Sequence, residues 1–171
     1  MQTPVRSLQE AQQVLTFHIG GDTYAIDILR VREIVEYQTV TRVPTAPAWI
    51  RGVVNLRGNV VPVLDLAVKL GLPGAPVGRR TCIVLVEVEL QGEETVLGLL
   101  ADAVDQVVDL TPADVEPPPS FGARVHSDYL LGLAKLGPRL ALLLDIDRIL
   151  TSEEMLRVED TALAEGTAEA G

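Results

Sequence analysis

Cysteine, histidine and aromatic residues are scarce in this 171-residue chain, and each scarcity excludes some chemistry. The one cysteine, Cys82, cannot form an intramolecular disulfide or a multi-cysteine metal site, and it suits a reducing cytoplasm. His18 and His126 stand apart, with no HxxH or HExxH spacing, so no metal is expected. Phe, Trp and Tyr make up only 4% of the residues, so aliphatic side chains must fill the interior. Basic residues are also few: 14 Lys and Arg face 24 Asp and Glu, for a net charge of −10. No basic patch or stripe is present, which argues against nucleic acid as a partner. Part of the acidity is local, since six acids follow from Glu153 onward against the single Arg157. Long apolar runs are missing too. Leu140–Leu144 is far shorter than the roughly 18 residues of a membrane span. The opening MQTPVRSLQEAQQ lacks the apolar core of a signal peptide. A cytoplasmic, soluble protein with no membrane insertion is expected.

What is present is a globular chain, 47% hydrophobic, of a length that suits one domain or two small intimate subdomains. Leu15, Phe17 and Ile19 alternate with Thr16 and His18, which predicts a strand. Gly20-Gly21-Asp22 turns it into a second strand at Tyr24–Asp27. Residues 28–37 mix helical spacing with β-branched side chains, so a short helical turn running into a strand is expected. Pro44 and Pro47 mark a loop. Val-rich runs on either side of Arg57-Gly58-Asn59 predict a tight hairpin, and Pro62 implies an edge or bulged strand. One helical turn follows at Leu66–Leu70, then the Gly/Pro linker Gly71–Gly78. Strands are predicted at Thr81–Leu90 and Thr95–Ala101, and another through Val104, Val107 and Val108. An extended proline-bearing loop is expected at Leu110–Ser120. A closing hairpin turns at Gly137-Pro138, and Asp145 caps a short helix with Ile146, Ile149 and Leu150 on one face. Short strands between Gly/Pro turns predict an all-β sandwich or barrel. The halves look alike in layout, without a fixed-period repeat.

No catalytic constellation assembles. GLPGAPVGRRT lacks the Lys-Ser/Thr ending of a phosphate loop and reads as a linker. Ser120, His126, Ser127 and Asp128 lack the GxSxG elbow and read as a solvated loop. Cys82 lies in an apolar run without a nearby cation, as an inert buried thiol does. Asp65, Asp102 and Asp105 end apolar runs, where aspartates commonly make turns, and show no acid–base pairing signal. No cofactor is expected, and a binding module is favoured over an enzyme.

The segments YAIDILRVREIVE, TRVPTAPAWIRGVVNLRGNVVPVLDL and YLLGLAKLGPRLALLLDIDRILTSEEM carry a family resemblance. Through them the chain resembles the CheW family of chemotaxis coupling proteins, from about Val14 to Met155. The resemblance implies a mainly β fold: two SH3-like five-stranded β-barrels around a shared hydrophobic core, with short helices and a C-terminal helix. It places one domain at 14–151, the first barrel at about 14–70, the second at about 80–144 and a helical segment at about 145–158. Residues 1–11 and 159–171 are expected to be disordered. It further implies a non-catalytic adaptor between the regulatory domain of the histidine kinase CheA and the cytoplasmic tip of methyl-accepting chemoreceptors. Such an adaptor is a monomer when free and is recruited to membrane-associated arrays. A related adaptor of a non-motility pathway, or a ligand sensor or enzyme on the same fold, is the alternative.

Family matching puts Val31, Glu33, Ile34 and Val104 at the receptor surface, and Arg57, Gly52, Gly98 and Val107 at positions for coupling. Each has a plainer reading. Val31 and Ile34 suit a core equally well. Glu33, between them, is expected to point outward. Arg57 is either a solvated hairpin residue or an internal salt-bridge partner. Gly52 and Gly58 read more readily as turn glycines, and Gly98 as a bulge or close backbone approach.

Overall fold

Gly20 and Gly21, both at positive φ, fold strand β1 (Gln12–Ile19) back onto β2 (Asp22–Asp27). The Asp102 carboxylate pins this turn by accepting the Gly20 N–H at 2.8 Å. The computed structural model describes residues 11–72, 76–90, 92–117 and 129–149. A 3-10 turn at Ile28–Arg30 leads into β3 (Val31–Glu36), the helical turn and strand predicted there. The first hairpin of bulged strands is β4 (Ile50–Leu56) with β5 (Asn59–Asp65), followed by the single-turn helix α1 (Leu66–Lys69). Strands β6 (Cys82–Leu90), β7 (Glu93–Ala101) and β8 (Ala103–Leu110) come next. After β9 (Val115–Glu116), a second hairpin pairs β10 (Leu130–Leu136) with β11 (Arg139–Leu144), before α2 (Ile146–Ile149).

The fold is mainly β, in two sheets. One has the order β8-β1-β2-β11-β10-β9, the other β3-β6-β7-β5-β4. Neither follows the expected split into 14–70 and 80–144. The hairpin β1–β2 pairs with strands of the second half, and β6–β7 pairs with strands of the first. Four pairings do this: β1 with β8 and β3 with β6 are antiparallel, whereas Tyr24 and Ala25 lie parallel to Leu142 and Leu143, and Gly98 and Leu99 to Val63 and Leu64. Parallel neighbours require a crossover, so each half reaches across instead of closing on itself.

The sheets are register-equivalent. Gly52 and Gly132 stand at the same bulge of their hairpins. Asp65 donates its N–H to the Trp49 carbonyl at 2.9 Å, as Asp145 does to that of Tyr129 at 2.8 Å. The carboxylates of both aspartates then accept N–H groups of the short helix that follows. Carried through the pairings, this register makes β3 the counterpart of β8, Val31 of Val104, and Ile34 of Val107.

Three apolar clusters follow from this arrangement. The largest lies between the sheets and joins Phe17, Tyr24, Leu64, Leu66, Val86, Leu99, Ile146 and Ile149, which is the shared core expected. Smaller clusters cover the opposite face of each sheet, around Val63 and Ile83 in one and Ala25 and Leu143 in the other. Thr16 is fully buried, and its hydroxyl donates to the Gln106 carbonyl (2.9 Å) and accepts the Gln106 N–H (3.2 Å) where β1 and β8 slip register. Buried polar groups of this kind are tolerated because they are satisfied.

Two local expectations need correction. Pro62 is in neither an edge strand nor a bulge, because β5 lies between β7 and β4. It stands opposite Val53, whose backbone groups bond outward to Thr41, so no donor is required there. Residues 112–116 are not simply an extended loop. The Asp114 carboxylate accepts both the Thr111 N–H (2.8 Å) and the Thr111 hydroxyl (3.0 Å) over a 3-10 turn at Pro112–Asp114, and β9 follows. Leu150, most of the 145–158 segment and the two termini lie outside the described residues.

Chains split between residues 74 and 75 are therefore expected to fold only as a pair. Each half alone should lack the β-sheet circular dichroism signal, and mixing should restore it with a 1:1 complex; a half that folds alone contradicts the exchange. A second prediction concerns Tyr24, whose buried hydroxyl has no hydrogen-bond partner among the described residues and whose pKa burial, then Asp22, push up to about 12. Tyr24→Phe removes an unsatisfied polar atom. It should raise unfolding stability by roughly 1 kcal/mol in urea titrations, without loss of packing.

Candidate functional site

Residues on the β3 edge, with Arg57 beside them, carry half of the sequence-predicted site. A bulge at Arg32 separates the pairs Val31–Val86 and Glu33–Leu85. Past it, exposure alternates strictly along β3: Val31, Glu33 and Val35 are half-buried, and Arg32, Ile34 and Glu36 are exposed. Val31 packs on the main core and Val35 on the cluster inside the five-stranded sheet. Ile34 is thus the outward apolar residue, at 43% exposure. Because the bulge adds one residue, Glu33 falls on the opposite face from Val31, the face of Val35 and Leu85, where it is half-buried and not fully outward as expected.

Glu33 is not left unpaired. Arg57, in the β4–β5 turn, donates Nη2 to Oε1 at 2.6 Å and Nη1 to Oε2 at 3.3 Å, a two-pronged contact. These bonds raise the Arg57 pKa above its ordinary value. The pair joins the hairpin at one end of the five-stranded sheet to the strand at the other. Arg57 has φ 54° and Gly58 φ 90°, a turn geometry that favours Asn-Gly. An arginine held there points to a use for its guanidinium, which is 69% exposed and so reachable from outside. The sheets differ here: the counterparts of Glu33 and Arg57 are Gln106 and Gly137, which form no such pair.

The second edge is β8. Val104 is half-buried against the main core, and Val107 stands outward at 47% exposure. Each sheet therefore presents one exposed β-branched residue at the same register on its edge strand. Val60 and Leu140, also register-equivalent, are 60% and 57% exposed beside the two hairpin turns. Sequence reasoning passed over this second pair, for which only the alternation in the two hairpins gave a signal.

The two predicted coupling glycines are interior. A Cβ on Gly52 (φ 151°) would lie 2.2 Å from the Thr41 carbonyl oxygen and 2.6 Å from Val40 Cγ1. Gly52 is therefore a bulge glycine and not a turn glycine. Gly98 is the close approach: it lies between β6 and β5 in unbroken register, and a Cβ would lie 2.7 Å from Ile83 Cγ2. Its counterpart is the fully buried Ala25, so the position accepts only small residues.

The candidate chemical groups serve structure. Asp65 is buried, pairs with Arg51 at 3.2 Å and caps α1. Asp102 holds the Gly20 turn, and Asp105 faces His18 at 3.9 Å. Burial raises the pKa of the Cys82 thiol, as expected of an inert one. Among the described residues no three His, Cys, Asp or Glu side chains gather as a metal site. A cleft of about 290 Å³ opens between residues 37–48 and β4, but its buried acid, Asp65, is already paired with Arg51. The loop with Ser120, His126, Ser127 and Asp128 lies outside the described residues. Among the described residues no helix is long and apolar enough to cross a membrane.

Gly52→Ala and Gly98→Ala should each cost about 2 kcal/mol or more of unfolding stability, because backbone or core atoms must move. Thermal denaturation checks this. An unchanged midpoint would return these positions to the contact surface.

Known proteins share this arrangement. A family model for the CheW-like domain matches residues 13–154. The chain is 40% identical over 151 residues to the chemotaxis protein CheW of Klebsiella aerogenes, covering 88% of this chain and 89% of that one. It is 30% identical over 155 residues to the chemotaxis protein CheW of Treponema pallidum, covering 91% of each. The crystal structure of the scaffolding protein TtCheW from Thermoanaerobacter tengcongensis superposes with a TM-score of 0.75 at 28% identity, covering 85% of this chain and 92% of that one.

Proposed function

Because this chain belongs to the CheW-like domain family, we propose that it is a scaffold of a bacterial chemosensory array, coupling methyl-accepting chemoreceptors to the histidine kinase CheA. The observation that carries the reading is the pair of exposed apolar residues, Ile34 and Val107, at one register on two different edge strands. An adaptor needs two faces, and each of these residues centres one of two register-equivalent edge strands that pair along one side only.

We assign the β3 face to the receptor tip. Ile34 offers the apolar contact, with Val31 half-buried on the same face of the strand. The Glu33–Arg57 pair supplies a charged, directional element at the same place. The receptor tip is a helical hairpin, and an apolar helix face can seat on such a surface. The β8 face, with exposed Val107 and half-buried Val104 on one side of the strand, goes to the kinase's regulatory domain, which moves Val104 from the receptor surface that the resemblance implies. Gly52 and Gly98 contribute by holding the strands that carry the faces. Small, individually weak contacts suffice, because an array multiplies them through avidity. The role places the protein in the cytoplasm, recruited to receptor arrays, and asks for no bond-making.

Purified receptor-tip and kinase regulatory-domain fragments test this in titration calorimetry. Ile34→Glu should weaken receptor binding about tenfold or more and spare the kinase. Val107→Glu should do the reverse. Both thermal midpoints should hold, since both side chains face outward. Failure of the unsubstituted protein to bind either fragment would end the proposal.

A further inference from the structure

The edges β3 and β8 match in shape and register but not in charge. The outward residues of β3 are Arg32, Ile34 and Glu36, and their counterparts on β8 are Asp105, Val107 and Asp109. Arg32 is engaged by Glu87 at 2.8 Å, and among the described residues Glu36 has no cationic partner. On β8, Asp109 accepts a hydrogen bond from Gln13 at 2.9 Å, and Asp105 has His18 at 3.9 Å. Among the described residues no lysine or arginine pairs with either aspartate. The apolar centre of β8 is thus bracketed by two carboxylates, and each strand pairs along one side only within its sheet.

A second copy of this chain would bring its own β3 to that edge. With Ile34 set against Val107 in antiparallel register, Arg32 meets Asp109 but Glu36 meets Asp105. In parallel register Arg32 meets Asp105 but Glu36 meets Asp109. Either way one attraction is cancelled by one repulsion, and like charges placed opposite each other across strands destabilise the pairing. We propose that the β8 edge docks a partner protein's edge strand bearing an apolar residue with a lysine or arginine on both sides, and that Glu36 keeps this chain's own β3 from filling that place. Charge complementarity on both flanks selects the partner, and one mismatched flank excludes self. The proposal rests on the adaptor reading in taking β8 as a docking edge, and it adds the chemistry of the partner.

Glu36→Lys tests it with the protein itself as probe, since that variant presents a cation on both sides of Ile34. Glu36 is exposed and outside the core, so the substitution leaves folding intact. In sedimentation equilibrium at sub-millimolar chain concentration, the unsubstituted protein should remain monomeric. The Glu36→Lys variant should self-associate about tenfold or more tightly, head to tail, with mass rising as concentration rises. High salt should reverse the association, and so should adding Val107→Glu. A variant that stays monomeric overturns the proposal. So does association that survives Val107→Glu, because it would lie elsewhere. Fragment calorimetry reads the adaptor proposal separately: its failure removes the kinase assignment, whereas failure of Glu36→Lys to associate removes only the charge rule.

Discussion

The parallel contacts of β2 with β11 and of β7 with β5 are the constraint on which the rest of this structure depends. Through them each half of the chain lends its first hairpin to the other half's sheet. The main core then lies between two sheets that are each built from both halves, and neither sheet can be removed without unsealing it. The exchange also decides what is left over. Once β1 and β6 have taken inner places, β8 and β3 become the outermost strands on their side. The two edges available for partners are thus a consequence of how the core is closed.

Register equivalence makes those edges alike, and a few side chains make them different. Glu33 and Arg57 tie one sheet's ends together, where the other sheet has Gln106 and Gly137. Arg30 grips Asp147 of α2 with two hydrogen bonds and donates to the Glu87 carbonyl; the counterpart of Asp147 in the first half is Ala67. Lys69 places its ammonium 4.4 Å from the Trp49 ring centre and 5.9 Å from that of Tyr129, which are themselves counterparts. A lone lysine between two equivalent rings cannot obey the repeat, so the centre of the molecule is asymmetric too. These departures are individually small, since exposed ion pairs contribute little to stability. Their effect is to give a duplicated framework two unlike faces.

Much of the strand inventory was legible in the sequence because hairpins are local. Arg57-Gly58 and Gly137-Pro138 turn where their flanking apolar runs imply, and Asp65 and Asp145 cap the helices expected of them. Pairing across the halves was not legible. Composition and periodicity describe which face of a strand is buried, but not which distant strand covers it. That is why Pro62 reads as an edge residue while lying in an inner strand, and why the halves read as separate barrels. The halves read as alike in layout but not as a repeat, because the equivalence lies in hydrogen-bond register: at equivalent positions Arg57 matches Gly137 and Pro62 matches Leu142, which share no side-chain chemistry. In the site, Ile34 and Val107 were identified as surface contacts by resemblance. The bulge at Arg32, which periodicity alone does not reveal, puts Glu33 on the opposite face from Val31 and Ile34.

Charged edges in β proteins ordinarily serve to keep sheets from adding to one another. Arg32, Glu36, Asp105 and Asp109 fit that role, but it does not account for Ile34 and Val107 between them. A chain built only to avoid association would place polar residues at both central positions, where the side chains meet water and contribute little to the core. An apolar residue kept at the middle of a guarded edge buries part of its surface, but the part left in water, 43% for Ile34 and 47% for Val107, costs solubility. It makes sense where the guard is also a filter, with charges that repel most strands and admit one whose flanks are complementary. On this view protection from aggregation and choice of partner are one property of the same six outward side chains. Two edges guarded differently are what an adaptor joining two different proteins requires.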